Sequence, residues 1–314
     1  MRKKVSVIGA GQTGASTAQR IVERGYADVV ITDVVEGLAE GKALDLQESA
    51  PVVGFDGLVT GVTTTPDGKG YEATAGSDLV IITSGVPRKP GMSRDDLLAI
   101  NQQIITTVVQ AVVKQSPNCI LVMLTNPVDA MTQLAYRVSG FPSNRVVGQA
   151  GILDTARYKT FLALELGVAV QDIDAYVLGG HGDTMVPLPD RTFVGGRPLA
   201  SLLPRDRIEQ IIERTRRGGE EIVKLLKTGS AFYAPSAALA EMVDAILLDQ
   251  KRVLPCCAYL EGHYGLQGLY VGVPVKLGAA GVEEIIEFSL SREELDALHR
   301  SADAVRGLVQ TMKI

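Results

Sequence analysis

Along the first half of the chain, short apolar runs alternate with longer stretches in which apolar residues recur every three or four positions. The runs at 5–8, 29–31, 79–82 and 120–124 predict strands, and the amphipathic segments at 16–24, 38–48, 97–115 and 130–139 predict the helices between them. Val146-Val147 predicts one further strand. Gly, Asp or Pro marks each transition, which is the rhythm of βαβ units and of a doubly wound parallel sheet of Rossmann type. After Gly151 the texture changes. Helices are expected at 155–166, 207–226 and 237–248, strands near 253–260 and 269–275, and a last helix from about Arg292, so the second half is expected to be α+β. Domains of roughly 100–200 residues fit this division, and we place the boundary at Gln149-Ala-Gly151, with 1–150 as one domain and 151–314 as the other.

Composition narrows the class. Of 314 residues, 46% are hydrophobic and 21% charged, enough apolar surface for packed cores. Lys plus Arg number 31 against 36 for Asp plus Glu, and the net charge of -5 offers no general field for nucleic acid or anionic lipid. The apolar runs at 119–124 and 79–82 fall far short of the roughly 20 residues that span a bilayer, so no membrane segment is expected. The basic start, Met1-Arg-Lys-Lys4, runs into Gly9-Ala-Gly11 without the apolar region of a signal peptide. Cys119, Cys256 and Cys257 have neither disulfide-framework nor metal-ligand spacing. A cytoplasmic protein without a metal is the expectation.

The chemistry-bearing residues lie where predicted strands end. Gly9-Ala-Gly-Gln-Thr-Gly14 follows the first strand and opens the first helix. In that context Gly9 serves a tight turn, Gly11 lets a pyrophosphate approach the backbone, and Gly14 lets helix and strand pack closely. The candidate cofactor loop is therefore Gly9, Ala10, Gly11, Gln12, Thr13 and Gly14, whose free N–H groups face an anion. Asp33 ends the second strand about 20 residues on, where a carboxylate accepts from a ribose and repels a 2′-phosphate, favouring NAD over NADP. Arg88 and Arg94 ride on the Gly- and Pro-punctuated stretch 84–96, which suits a closing lid or a solvated loop. Asn126 follows the next strand, as a ligand contact or a turn residue. Asp154 and Arg157 stand three apart at a predicted helix start and share one face, toward a cleft or as a surface ion pair. His181 sits in Gly179-Gly-His-Gly-Asp183, presented rather than packed, whereas His263 and His299 lack such a setting. A histidine beside a carboxylate suits proton transfer near neutrality, and beside a nicotinamide the economical chemistry is hydride transfer.

Taken together and in this order, these segments resemble the lactate/malate dehydrogenase superfamily over nearly the whole chain, closest to its bacterial malate-specific branch. The resemblance implies NAD as cofactor and reversible oxidation of (S)-malate to oxaloacetate. It implies that His181 is the acid/base, stabilised by Asp154, that Arg157 holds the C1 carboxylate, and that Arg94 polarises the carbonyl. It adds Asn126 to the substrate site, and Asn101, Leu124, Thr125 and Asn126 to the cofactor site. Arg88 carries the substrate choice, since the matching position is typically Gln in lactate enzymes and Arg in malate enzymes. A charged hydrogen bond contributes about 1.5–3 kcal/mol, a discrimination of roughly ten- to a hundredfold. Ala231, where lactate enzymes usually carry Thr, points the same way. A lactate dehydrogenase and a non-catalytic NAD-binding regulator remain the alternatives. The resemblance also implies a homo-oligomer, a tetramer in preference to a dimer, with a small-molecule substrate.

Overall fold

The computed structural model describes residues 2–87 and 94–312, and of residues 94 and 95 the backbone alone. Six strands, β1 (Lys3–Ile8), β2 (Ala27–Asp33), β3 (Val59–Thr63), β4 (Leu79–Ile82), β5 (Ile120–Met123) and β6 (Val146–Gly148), lie parallel in the order β3-β2-β1-β4-β5-β6. The chain reverses its direction of winding between β1 and β4, and the crevice above that point is where such sheets bind ligands. The connecting helices are α1 (Gln12–Val22), α2 (Leu38–Glu48), α3 (Ala50–Val53), α4 (Arg94–Gln115) and α5 (Val128–Ser139). Both sheet faces are covered, so the strands read as unbroken apolar runs rather than alternating ones. Ile81 and Val122 join the cluster beneath α1, while Val80, Ile82, Leu121 and Met123 join the cluster beneath α4 and α5.

The second half begins with α6 (Gly151–Leu166) and five two-residue strands, β7 (Ile173–Asp174), β8 (Val177–Leu178), β9 (Val186–Pro187), β10 (Phe193–Val194) and β11 (Arg197–Pro198). It continues with α7 (Arg205–Leu226), α8 (Tyr233–Leu247), β12 (Arg252–Glu261), β13 (Gln267–Gly278), β14 (Gly281–Ile285) and α9 (Arg292–Thr311). The meander β12-β13-β14 is antiparallel and joins the parallel sheet through Cys257, which pairs with Gly148 of β6. One nine-stranded sheet results. A single core cluster holds Val5 of β1, Ile21 of α1, Met242 of α8 and Val273 of β13. The change of texture at 149–151 thus coincides with the step from β6 to α6, while sheet and core pass straight across it. A smaller core, with Tyr158, Leu162, Ile173 and Ile208, lies between α6 and α7.

Several elements differ from expectation. Strand β3, with Gly61 in its middle, and the two-residue strands were not predicted, being too short or too polar for a periodic signal. Helices α1, α4, α5, α6, α7 and α8 each start two to four residues before the predicted point. Within α4, the segment Asp96–Gln115 is long and apolar enough to cross a membrane by length and composition, which the run-length argument did not register. Its Leu98, Ile105, Val109 and Val112 are fully or almost fully buried in the core beneath the sheet.

The turn from β1 into α1 depends on close contact. A Cβ at Gly9, whose φ is 110°, would stand 2.7 Å from the Thr83 hydroxyl, and one at Gly14 would stand 1.9 Å from the Gly9 carbonyl oxygen. Alanine in a helix interior ordinarily gains about 1 kcal/mol over glycine, but overlap of this kind costs typically 1–3 kcal/mol. Gly14→Ala is therefore expected to lower the unfolding free energy, read from the urea midpoint at unchanged slope. An unchanged or raised midpoint would show that this contact does not hold the turn.

Candidate active site

The first turn of α1 forms the floor of the candidate cofactor site. No side chain caps this helix and no acidic residue occupies its first turn, so its N-terminal N–H groups and the positive end of its dipole face outward. A Cβ at Gly11 would meet nothing within 4 Å, so the protein's own packing does not demand this glycine and leaves the backbone open to an approaching group. Asp33 Oδ2 accepts from the Ala10 N–H at 2.7 Å and Oδ1 from the Val35 N–H at 3.0 Å. A carboxylate has about four acceptor positions, so Asp33 keeps capacity for ribose hydroxyls while it fixes the loop. Gln12 is exposed and Thr13 half-buried, with the Thr13 carbonyl accepting from Thr17 at 2.7 Å. The residues match the needs of a bound dinucleotide.

From this loop a line of hydrogen bonds runs along the carboxyl edge of the sheet. Thr83 Oγ1 donates to the Gly9 carbonyl at 3.2 Å, and Thr125 Oγ1 to the Ser84 carbonyl at 2.6 Å. Leu124 is half-buried with its N–H on the Ile82 carbonyl. Asn101 is buried on α4, and its whole amide is engaged by backbone. Its Oδ1 accepts from the Val86 N–H at 2.9 Å, and its Nδ2 donates to the carbonyls of Asn126 at 2.8 Å and Val86 at 3.3 Å. It ties the stem of the 84–96 stretch to the β5 terminus, where the Asn126 side chain is exposed. Arg88 lies outside the described residues. Of Arg94 the backbone alone is described, at the first position of α4.

The candidate acid–base group lies on the other half of the chain. His181 Nδ1 and Asp154 Oδ2 are 2.8 Å apart, with the two side chains 16% and 2% exposed. Asp154 Oδ1 also receives Arg157 Nη1 at 3.4 Å. Burial lowers the proton affinity of His181, but the charge and hydrogen bond of Asp154 outweigh it, and Arg157 opposes and Asp129 assists. The net result is a pKa above the ordinary imidazole value. Bonding of Nδ1 to the carboxylate leaves Nε2 as the nitrogen available to a ligand. Arg157 is largely buried, and its Nε has no hydrogen-bond partner among the described residues. Such an orphaned donor is costly unless a ligand takes it up. His299 instead bonds the Tyr264 carbonyl at 2.7 Å, a contact within the fold.

Three features were not found from sequence. Asp129, in the first turn of α5, accepts from the His181 N–H at 2.8 Å, and the thiol of Cys257 lies beside it. Gly218 and Gly219, in the interior of α7, face Arg157. A Cβ at Gly218 would stand 3.1 Å from Arg157 Cδ, and one at Gly219 3.5 Å from Nη2. Adjacent glycines inside a helix were the one available signal, since each costs about 1 kcal/mol against alanine.

Comparison with known proteins agrees with this geometry. Residues 3–148 match the family model of the lactate/malate dehydrogenase NAD binding domain, and residues 152–313 that of the lactate/malate dehydrogenase alpha/beta C-terminal domain. The chain belongs to the lactate/malate dehydrogenase family. Within this family, the malate dehydrogenase of Thermomicrobium roseum is 58% identical over 313 residues, covering 100% of this chain and 99% of that one. The structure of malate dehydrogenase from Salinibacter ruber superposes with a TM-score of 0.93 at 50% identity, over 99% of this chain and 97% of that chain. Lactate dehydrogenase from Cryptosporidium parvum, solved with lactic acid and nicotinamide adenine dinucleotide, gives 0.95 at 40% identity, over 100% and 98% of the two chains. Both activities of the family are therefore represented on this fold.

The glycine pair yields a test that separates binding from stability. Gly218→Ala is expected to hold or raise the melting temperature through helix propensity, by up to about 1 kcal/mol. It should nevertheless raise KM for the carboxylate substrate several-fold, because Arg157 must shift by a few tenths of an ångström. Unchanged KM in steady-state assays would show that the glycines do not serve Arg157.

Proposed function

We propose that this protein is an NAD-dependent malate dehydrogenase that interconverts (S)-malate and oxaloacetate, with His181 as its acid/base. The observation that carries the reading is the 2.8 Å contact of His181 Nδ1 with buried Asp154, beside an arginine whose Nε has no partner among the described residues. Residues 1–150 would hold the cofactor through Gly9–Gly14 and Asp33, and residues 151–314 would supply the proton carrier and the carboxylate anchor. A nicotinamide held there would supply the hydride chemistry.

The chain's own residues do the rest. Arg157 takes the C1 carboxylate in a bidentate pair, for which its fork of donors is suited. His181 Nε2–H donates to the carbonyl oxygen of oxaloacetate and yields its proton as the alkoxide forms; in malate oxidation the neutral ring accepts that proton back. Asp154 stabilises the imidazolium, so the charge that appears on the ring after malate oxidation is already compensated. Arg94, brought in with the 84–96 stretch, would polarise the carbonyl, and Asn126 would bond the substrate. Arg88 would pair with the distal carboxylate, the feature that separates oxaloacetate from pyruvate. With pyruvate this arginine would have no carboxylate to pair with, which would widen the discrimination. A homotetramer acting in the cytoplasm fits this reading.

Two measurements test it. Purified protein with NADH is expected to reduce oxaloacetate at least tenfold more efficiently than pyruvate, and to do so poorly with NADPH; equal or better use of pyruvate would make it a lactate dehydrogenase. His181→Asn is expected to retain NADH binding by fluorescence titration while losing most turnover, and an active variant would place the proton carrier elsewhere. The sign of the pH dependence follows from the raised imidazole pKa. Oxaloacetate reduction needs the protonated ring and falls as pH rises through that value, whereas malate oxidation rises. Removing the Asp154 charge in Asp154→Asn should move both limbs to lower pH.

A further inference from the structure

His181 is held at two points, and only one of them is its ring. Its backbone N–H donates at 2.8 Å to Oδ2 of Asp129, which lies 52 residues earlier on α5 and is 4% exposed. The next peptide upstream is anchored differently, with the Gly180 N–H donating to the Ser301 hydroxyl at 2.8 Å, and that hydroxyl to Thr184 at 3.0 Å. A neutral hydroxyl therefore suffices to anchor this loop. A carboxylate at Asp129 is much more expensive to bury, and its second oxygen, Oδ1, has no well-formed hydrogen bond among the described residues. What a carboxylate provides that a hydroxyl does not is charge.

Among the described residues, the electrostatic influences resolved for this pair are these. Toward His181 come Asp154 and Arg157 from α6 and Asp129 from α5; toward Asp129 come His181, Asp154 and the Cys257 thiol from β12. Arg157 disfavours the imidazolium, and the two carboxylates favour it. Burial pushes the Asp129 carboxyl up. The His181 N–H, the Cys257 thiol and the imidazolium act against that, and Asp154 adds to it. The state with imidazolium and both carboxylates ionised balances the two cations, His181 and Arg157, against two anions.

We propose that Asp129 is a positioning residue for proton transfer: it fixes the His181 backbone and supplies the second negative charge that holds the ring protonated beside Arg157. This rests on His181 being the proton carrier. It joins the two halves of the molecule functionally, because the anchor belongs to the first turn after β5 and the histidine to the second half.

Asp129→Asn separates anchor from charge, because its amide oxygen can still accept from the His181 N–H. It is expected to keep kcat within about tenfold and KM within about threefold, while moving the alkaline limb of oxaloacetate reduction to lower pH. Asp129→Ala should move the limb likewise and lower kcat about a hundredfold or more, with NADH affinity unchanged. If Asp129→Ala does not fold, the pH limb of Asp129→Asn decides alone. A limb left in place in Asp129→Asn, whatever the loss of melting temperature, would reduce Asp129 to a structural role and overturn the proposal. Retained turnover in His181→Asn would instead remove the reading beneath it.

Discussion

A charge buried in protein must be compensated, and the active end of this molecule is arranged around one such charge. Asp154 is 2% exposed and meets two cations, the His181 ring at 2.8 Å and the Arg157 guanidinium at 3.4 Å. Any one of the three without the others would be a liability of several kcal/mol. Together they make a histidine inclined to be protonated next to an arginine inclined to bind an anion. Arg157, whose pKa burial lowers and Asp154 restores in part, keeps an Nε with no partner among the described residues. In the proposed reading a substrate carboxylate would complete the cluster.

Precision in this cluster comes from the continuity of the sheet. Gly148 of β6 pairs with Cys257 of β12, joining the parallel strands to the antiparallel meander. Cys257 lies against Asp129, and Asp129 holds the His181 backbone. On the other side, Thr125 and Asn101 lock the end of β5 to the stem of the 84–96 stretch. The candidate cofactor floor and the proposed proton carrier are thus tied to the same strand ends, which hydride transfer would require, since misplacement by about 1 Å can cost a hundredfold.

The central sheet was legible because parallel strands buried on both faces leave unbroken apolar runs, and the glycine loop was legible because backbone contact leaves no alternative residue at Gly9 and Gly14. Helix starts were not. The first turns of α1, α5 and α6 carry Gln12 and Thr13, Asp129, and Gly151 with Asp154, chosen for ligands, loops and close approach rather than for an apolar stripe. Periodicity begins only after them, so the readings at 16, 130 and 155 came late, at the turns to which the proposed function assigns its residues. Asp129 was passed over because Asn126-Pro127 beside it read as a turn, and its partner is 52 residues away. Gly218 and Gly219 were passed over because an amphipathic α7 tolerates them in a pattern count.

The account stands or falls on the protonation of one ring, and the chain has only three histidines. Titration of the isotope-labelled histidines by NMR measures it directly. One resonance, absent from His181→Asn, should titrate above the ordinary imidazole value of about 6.5 and fall when Asp154 is replaced by Asn. A His181 that titrates at or below that value, indifferent to Asp154, would contradict the account.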